Sequence, residues 1–389
     1  MAQDAIVAEF DATLSAAERD LIVVARDFGR QEVAPRAMRF AVDHAMPLDL
    51  LRKACDVGLA RIELPIAAGG HGFHFSAKMR AVEELAKYDF GFAFSLVNHH
   101  NATVRVAAAN AAVARRLLPA MLRGEFIGCA AYTEPGHGSD LSQLETTAER
   151  VEGGWRLNGS KTWVSNGAVA DVAITLAQTE RGSGGRGLAT FVVEASRPGF
   201  SRATPLELDA VYAIGLGGFS LRDYFLEDES LLESPGPSFR SALSSINGAR
   251  TYVAAMCAGM LESAIDAALD YGRERQAFGH NLVDFQGLRW SLVDAQTDLA
   301  ALRLLTYRAA RAIEAGRAVE QDAARAKKFA GERTLPHIAA CIQAMGARGL
   351  RGDVPLVRHL SACKAAAFAD GSTEMMNERL GKLMVDQGG

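Results

Sequence analysis

Two segments of the sequence carry side chains that could hold a planar or phosphorylated ligand. Residues 130–140 read AAYTEPGHGSD, a loop in which Thr133 and Ser139 supply hydroxyls among small residues. Small residues leave backbone N–H groups open to a ligand that lies close. Trp163 and Ser165 follow, and they can place an indole against an aromatic ring with a hydroxyl beside it. Each segment alone is ambiguous, because such loops are usually only turns and strand tryptophans usually belong to a core.

Three later segments add cations, amides and a carboxylate. Residues 273–279 read RERQAFG, and a helix that ends in cations and glycine suits either pyrophosphate binding or ordinary C-capping. Residues 343–349 read QAMGARG, and residues 370–374 read DGSTE. A carboxylate such as that of Asp370 can take a proton from a substrate held beside it.

The elements that must position these residues follow a helical, β, helical order. Apolar residues recur at helical spacing before about residue 127, with helices expected at 49–57 and 77–87. Short β-type runs separated by Gly, Pro, Asn and Asp then continue to about residue 232. The Gly-rich residues 181–187 are expected to form a hairpin loop between two of these runs. Long helices are expected afterwards at 241–275, 285–315, 318–345 and 355–384.

We therefore expect three domains, at residues 1–127, 128–235 and 236–389. A chain of 389 residues is long enough for them. The last helices have apolar faces broad enough for an oligomer core, and burial within one subunit explains those faces equally well.

Composition limits the partners. The net charge of -4 gives no long-range reason to expect nucleic acid or an anionic membrane. The five cysteines lack metal-finger spacing, so we expect reduced thiols and no metal. The N-terminus lacks the pattern of a signal peptide, and the apolar stretch 252–271 contains three acids. These features predict a cytoplasmic protein without a membrane span.

Taken together, the motifs TEPxxGSD, WVS, ERxxFG, QxxGxxG and acid-Gly-hydroxyl, in this order, resemble the acyl-CoA dehydrogenase family over about residues 10–385. The resemblance implies a mainly α fold with a central β domain: an N-terminal helical domain, a middle β-barrel and a C-terminal four-helix bundle. It also implies FAD as cofactor, an acyl-CoA substrate, an electron-transfer flavoprotein as acceptor, and a homotetramer or homodimer in which neighbouring subunits share FAD.

The resemblance also assigns cofactor residues position by position. The flavin and its ribityl-pyrophosphate chain would contact Tyr132, Thr133, Gly138, Ser139, Trp163 and Ser165. The adenine end of an FAD bound mainly by the neighbouring subunit would contact Arg275, Phe278, Gln286, Gln343 and Gly346. The phosphates and ribose of that same FAD would lie near Ser372 and Glu374.

The catalytic residues implied by the resemblance include one departure from the family. Asp370 stands where most members carry the Glu that removes the α-proton, and it is one methylene shorter. Arg250 matches the arginine that borders this acid, and the alternative base position of one family branch is Ala249. Asp89 is a second candidate base, because its helix borders the acyl pocket in the family, although it could equally cap that helix.

Two alternatives to an acyl-CoA dehydrogenase remain open from the sequence. One is a biosynthetic relative that oxidises a carrier-bound acyl group or uses oxygen. The other is a catalytically retired flavoprotein or acyl-CoA-binding scaffold. His99 and His100 fall near the expected acyl pocket, but adjacent helical residues point to different faces, so we expect no shared metal site. One of them could shape a polar substrate.

Overall fold

The computed structural model describes residues 4–386, and its N-terminal part is helical as predicted. Its helices are α1 (Ala5–Asp11), α2 (Ala16–Phe28), α3 (Ala37–Asp43), α4 (Leu48–Asp56), α5 (Phe75–Ala86), α6 (Phe90–Ala107) and α7 (Ala111–Leu122). Helix α2 starts at a capping box, in which Ser15 and Glu18 each bond the other's backbone N–H. The helices predicted at 49–57 and 77–87 correspond to α4 and α5.

A single mainly antiparallel sheet forms the middle of the chain. Its strands are β1 (Gly128–Ala131), β2 (Thr147–Val151), β3 (Gly154–Val164), β4 (Val172–Gln178), β5 (Leu188–Glu194), β6 (Phe200–Arg202), β7 (Gly217–Glu227) and β8 (Leu231–Glu233). They are paired in the order β6-β7-β3-β2-β4-β5-β8, and β1 lies parallel to β4. Strands β4 and β5 form a hairpin whose connection, residues 179–187, contains the Gly-rich residues 181–187. The predicted helical, β, helical fold is confirmed.

The C-terminal part contains five helices instead of the four predicted. They are α8 (Pro237–Glu274), α9 (Gln286–Glu314), α10 (Glu320–Met345), α11 (Leu356–Phe368) and α12 (Thr373–Asp386), with the short pair β9 (Gln276–Ala277) and β10 (His280–Asn281) before α9. The single helix predicted at 355–384 is wrong. Asp370 and Gly371 have φ angles of 56° and 103°, which a right-handed helix cannot include. This break places Asp370 in a tight turn.

Helix α8 forms the centre of the helical core. It is long and apolar enough to cross a membrane by composition, with a mean hydropathy of 1.3 in its most apolar window, but 72% of that window is buried inside the protein. At Gly259 a Cβ atom would lie 2.1 Å from the Glu83 carbonyl oxygen, so only glycine permits this approach of α8 to α5. We interpret α8 as a core helix.

A buried ionic network fixes α1, α5, α8 and α9 relative to each other. Arg80 Nε donates to Asp11 Oδ1 at 2.9 Å, and Arg303 Nε donates to Glu83 Oε1 at 3.0 Å. Arg303 also reaches Glu262 on α8 at 2.6 Å. Because loss of one partner would leave a buried charge unpaired, at a cost of about 3–5 kcal/mol, these helices form a rigid frame.

The predicted domain boundaries at 127/128 and 235/236 stay predictions. They fall in connecting segments, since α7 ends at Leu122 before β1 starts at Gly128, and β8 ends at Glu233 before α8 starts at Pro237.

Candidate active site

A cavity of about 1320 Å³ lies where the sheet meets α5, α6, α8 and the turn between α11 and α12. It brings together residues that are far apart in the sequence. The predicted site residues that line it are Tyr132, Thr133, Gly138, Ser139, Trp163, Ser165, Arg250, Asp370 and Ser372. The loop after β1, the end of β3 and the turn between α11 and α12 therefore all line this cavity.

The two loops after β1 and β3 are held side by side. Thr162 N donates to the Thr133 carbonyl oxygen at 3.0 Å. Beneath them the buried Lys161 donates to the Tyr132 carbonyl oxygen at 3.2 Å and to Glu134 Oε1 at 2.7 Å. Burial lowers the pKa of Lys161 to about 8, against the opposing effect of Glu134. This ion pair fixes the backbone of the first loop.

The backbone conformation and the exposure of Trp163 are those expected of a residue that contacts a ligand. The pairing of β3 with β7 is irregular between Lys161 and Val164, and Trp163 lies there with φ at 55°. A left-handed backbone is costly for a bulky residue, on the order of 1–3 kcal/mol, and β-bulges commonly re-aim a side chain. The indole is 57% exposed and lines the cavity, so it is available to a planar ring.

The same loops leave donors unused. Within residues 4–386, the backbone N–H groups of Thr133, Gly138 and Ser139 have no acceptor, and neither do the hydroxyls of Thr133, Ser139 and Ser165. Hydroxyls and open N–H groups around an exposed indole fit a flavin with its ribityl and phosphate groups. The residues present therefore fit the FAD that the sequence implies.

Asp370 presents an unsatisfied carboxylate to the cavity. Its Oδ2 atom is buried and has no hydrogen-bond partner within the described part of the chain. Burial raises the pKa of the carboxyl to about 6, against the opposing effect of Lys327 and Arg250. Arg250 Nε donates to the Asp370 carbonyl oxygen at 3.0 Å, and Nη1 donates to Asn247 Oδ1 at 2.8 Å. The carboxyl is therefore positioned through its own backbone while its side chain is available to a substrate.

Lys327 is a residue that the sequence reasoning missed. Its side chain is buried under the turn, and Nζ donates to the carbonyl oxygens of Ala367 at 3.2 Å and Gly371 at 3.4 Å. Burial lowers the pKa of Lys327 to about 8, while the charge of Asp370 raises it. The signal in the sequence was a lysine among alanines in the predicted helix. If such a lysine is buried, its ammonium group needs hydrogen-bond or ionic partners.

Asp89, the second candidate base, is engaged elsewhere. It is the N-cap of α6, where Oδ1 accepts from Phe92 N at 2.8 Å. Burial raises its pKa to about 6. It is not among the residues that line the cavity, although its neighbour Phe90 is. This geometry favours the capping interpretation.

The two adjacent histidines have separate partners. His99 Nδ1 accepts from Gly128 N at 3.0 Å, and its Nε2 lies 3.0 Å from the Met121 carbonyl oxygen. His100 Nε2 accepts from Glu63 N at 3.1 Å. No group of three or more potential metal ligands occurs among the described residues.

Six predicted cofactor residues do not line the cavity, and all are exposed. They are Arg275, Phe278, Gln286, Gln343, Gly346 and Glu374. Phe278 is 95% exposed with φ at 53°, in the tight connection between β9 and β10. Ser372, expected with Glu374 near the phosphates and ribose of the FAD bound mainly by the neighbouring subunit, lines the cavity.

Three family models match almost the whole chain. They are the N-terminal domain of acyl-CoA dehydrogenase at residues 15–125, the middle domain at 129–224 and the C-terminal domain at 239–385. The chain belongs to the acyl-CoA dehydrogenase family. This dehydrogenase is accordingly an oxidoreductase with FAD as its cofactor, and it acts on acyl-CoA thioesters.

Individual relatives agree with this assignment. The dehydrogenase is 29% identical over 362 residues to an acyl-CoA dehydrogenase of Bacillus subtilis (strain 168), covering 92% of this chain and 96% of the relative. A short-chain specific acyl-CoA dehydrogenase of Megasphaera elsdenii is 29% identical over 375 residues, covering 94% and 97%. The solved butyryl-CoA dehydrogenase from Megasphaera elsdenii is 28% identical, with a TM-score of 0.89 over 96% of this chain and 99% of that chain. These relatives favour neither the biosynthetic nor the retired alternative.

Proposed function

We propose that Asp370 removes the α-proton of the acyl-CoA thioester. The observation that carries this proposal is the Asp370 side chain, which lines the cavity and whose buried Oδ2 atom has no hydrogen-bond partner among the described residues. A base with a pKa of about 6 is ionised at neutral pH and still basic enough to accept a proton. When bound, FAD supplies the acceptor for the hydride that leaves the β carbon.

The backbone around Asp370 supports the developing negative charge of the substrate. The Asp370 N–H group has no acceptor among residues 4–386, so it can donate to the thioester carbonyl oxygen. A donor held in place before the reaction stabilises charge as it forms on that oxygen. Arg250 and Lys327 fix the turn from below by binding the carbonyl oxygens of Asp370 and Gly371. We assign Arg250 to this role in positioning the base.

We further propose that two or four copies of the chain assemble and share FAD. An exposed phenylalanine with a left-handed backbone costs free energy in an isolated subunit, and contact with a neighbour's cofactor would offset it. Arg275 precedes β9 and Gln286 is the first residue of α9, and both are exposed like Phe278 between them. Phe278→Ser should weaken FAD binding in the oligomer, as measured by retained flavin absorbance, whereas Phe126→Ser, a change at an exposed phenylalanine before the sheet, should not.

The electron acceptor and the location complete the proposal. We infer an electron-transfer flavoprotein as acceptor and a cytoplasmic role in fatty acid metabolism. All five cysteines are free and buried, as expected for a reducing compartment. Transfer of electrons from the reduced enzyme to electron-transfer flavoprotein, at a rate well above that to oxygen, would support this acceptor.

The test of the activity is anaerobic bleaching of the purified yellow protein by acyl-CoA thioesters. Butanoyl-CoA is the first compound to use, since several relatives are short-chain specific. We expect the flavin absorbance to fall and an α,β-unsaturated thioester to form. A protein that binds FAD but is bleached by no acyl-CoA would contradict the proposal.

A further inference from the structure

One wall of the cavity is polar where an acyl chain would meet it. We call this the polar wall: Glu63, Lys78 on α5, Asn98 and Asn101 on α6, and Tyr252 on α8. Buried polar groups cost free energy unless they are hydrogen-bonded. The charge of Asp370 is among the causes that raise the pKa of the Tyr252 hydroxyl, so the wall and the base are close enough to interact.

The charges of the polar wall cancel. Lys78 is buried, its ammonium group pairs with the Glu63 carboxylate, and it donates to Asn101 Oδ1 at 3.2 Å. The ammonium also lies 4.7 Å from the centre of the Phe75 ring. A substrate carboxylate in this place would meet Glu63 as well as Lys78. The wall therefore suits a neutral polar group.

The hydrogen-bond directions leave the hydroxyl proton of Tyr252 unused. His100 Nε2 accepts from the Glu63 backbone, so Nδ1 carries the proton of the neutral ring and donates to Asn101 Oδ1 at 3.3 Å. Asn101 Oδ1 thus accepts from His100 and Lys78, which fixes the orientation of the amide. Asn101 Nδ2 then donates to the Tyr252 hydroxyl oxygen at 3.3 Å. The hydroxyl proton of Tyr252 has no acceptor among the described residues.

An unused acceptor lies nearby on α6. Asn98 Nδ2 donates to the Phe94 carbonyl oxygen at 2.8 Å, which leaves Oδ1 without a donor within residues 4–386. Asn98 and Asn101 are three residues apart, and residues at this spacing share one face of a helix. Lys78 and the two amides keep further N–H donors, and Tyr252 with Asn98 Oδ1 offers a donor and an acceptor in the polar wall. A hydroxyl group is the substituent that uses both.

We propose that the acyl group of the substrate carries a hydroxyl beyond the β carbon, bound by Tyr252 and Asn98. This inference rests on the proposed function, because it names the substrate class of the same site. A hydrocarbon chain would leave both groups unsatisfied on binding, and a site that hydrogen-bonds a hydroxyl discriminates against analogues that lack it.

A matched series of five-carbon thioesters tests the inference on the holoenzyme. Pentanoyl-, 4-hydroxypentanoyl-, 5-hydroxypentanoyl- and glutaryl-CoA differ only beyond the β carbon. We expect kcat/KM for one of the hydroxylated compounds to exceed that for pentanoyl-CoA by about tenfold or more, which corresponds to one net hydrogen bond. Equal values, or a preference for glutaryl-CoA, would overturn the inference. If butanoyl-CoA bleaches the flavin and no compound of the series does, the inference is overturned while the proposed function stands; bleaching by no acyl-CoA contradicts the proposed function itself.

Two variants test whether Tyr252 and Asn98 bind the substrate hydroxyl. Tyr252→Phe removes only the hydroxyl, and we expect the ratio of hydroxylated to plain kcat/KM to fall by about tenfold. Asn98→Ala removes the acceptor and tests the same ratio without a change in α8. Tyr271→Phe is the matched control, since Tyr271 lies on α8 outside the cavity lining. If the ratio of hydroxylated to plain kcat/KM is unchanged in both Tyr252→Phe and Asn98→Ala, the inference is contradicted.

Discussion

Asp370, which is partly buried, and Asp89, which is buried, have a pKa raised to the same value in different surroundings. Burial raises the pKa of each carboxyl to about 6. Asp89 Oδ1 accepts the N–H group of Phe92 at the start of α6, whereas Asp370 lines the cavity and its Oδ2 atom has no partner in the described residues. The pKa alone does not distinguish the two groups.

The difference shows that the hydrogen-bonding of a carboxylate indicates its role better than its acidity does. A carboxylate that caps a helix is already satisfied, and a proton transfer would break that contact. A buried carboxylate without a partner carries a desolvation cost that only a ligand can offset. Asp370 also has Arg250 and Lys327 beneath its turn, and these cations support its ionised form. This contrast supports the proposal that Asp370 is the base and that Asp89 caps a helix.

The largest expected effect comes from neutralising Asp370, compared with the same change at Asp89. Asp370→Asn keeps the shape of the side chain, and we expect the rate of anaerobic flavin bleaching to fall by about 10²–10⁴-fold, the usual range for a positioned base. Asp89→Asn is the matched control, because asparagine caps a helix as well as aspartate does. Similar losses in both variants would remove the distinction.

A second comparison concerns the cations beside the two aspartates. Arg250 bonds the Asp370 carbonyl oxygen through Nε and Asn247 through Nη1, and the compact ammonium of lysine does not reproduce the spacing of these two guanidinium nitrogens. We expect Arg250→Lys to lower the bleaching rate by about 10- to 100-fold, equivalent to one charged hydrogen bond of roughly 1.5–3 kcal/mol. Arg358→Lys, beside Asp89, should change the rate much less. An unaffected Arg250→Lys enzyme would show that the turn does not need this contact.

The pH dependence of kcat/KM should reflect the ionisation of Asp370 alone. The base must be ionised, so we expect kcat/KM to be constant above about pH 6 and to fall about tenfold for each pH unit below it. The raised pKa also means that ionised Asp370 destabilises the fold, a cost that grows as pH rises from about 4 to 6 and then stays constant. Asp89→Asn should keep the acid limb of the kcat/KM profile. Its disappearance in that variant would assign the limb to Asp89.

The smallest expected effect is on stability at the capped helix. Asp89→Ala and Asp89→Asn both remove the charge, but only asparagine can still accept from Phe92 N. We expect Asp89→Ala to be less stable than Asp89→Asn by about 0.5–2 kcal/mol in denaturant-induced unfolding of the holoenzyme. Equal stabilities would show that Asp89 does not act as a cap.

Much of the fold could be predicted from local patterns. Helical spacing before residue 127 and short β runs after it predicted the order of the elements, because these periodicities reflect one buried face. The motif order indicated the family, which the comparisons confirm. The break at Asp370–Gly371 was missed, since the apolar pattern of α11 continues into α12 and only the positive φ angles separate them.

The hydrogen-bonding within the site could not be predicted, because it depends on residues that are distant in sequence. Lys327 lies 44 residues before Gly371, whose carbonyl oxygen it binds, and Asn101 lies 151 residues before Tyr252. Local periodicity contains no information about such pairs. The choice between Asp370 and Asp89 stayed open in the sequence for the same reason, since only the structure shows which carboxylate already has a partner.

The central claim is that Asp370 takes the α-proton, and hydrogen exchange at the α carbon tests it most directly. An acyl-CoA analogue that carries no β-hydrogen, incubated with holoenzyme in D₂O, can exchange only its α-hydrogens, which mass spectrometry counts. We predict exchange in the wild-type and Asp89→Asn enzymes, and a loss of at least about 100-fold in Asp370→Asn. Exchange that continues at the wild-type rate in Asp370→Asn would contradict the account.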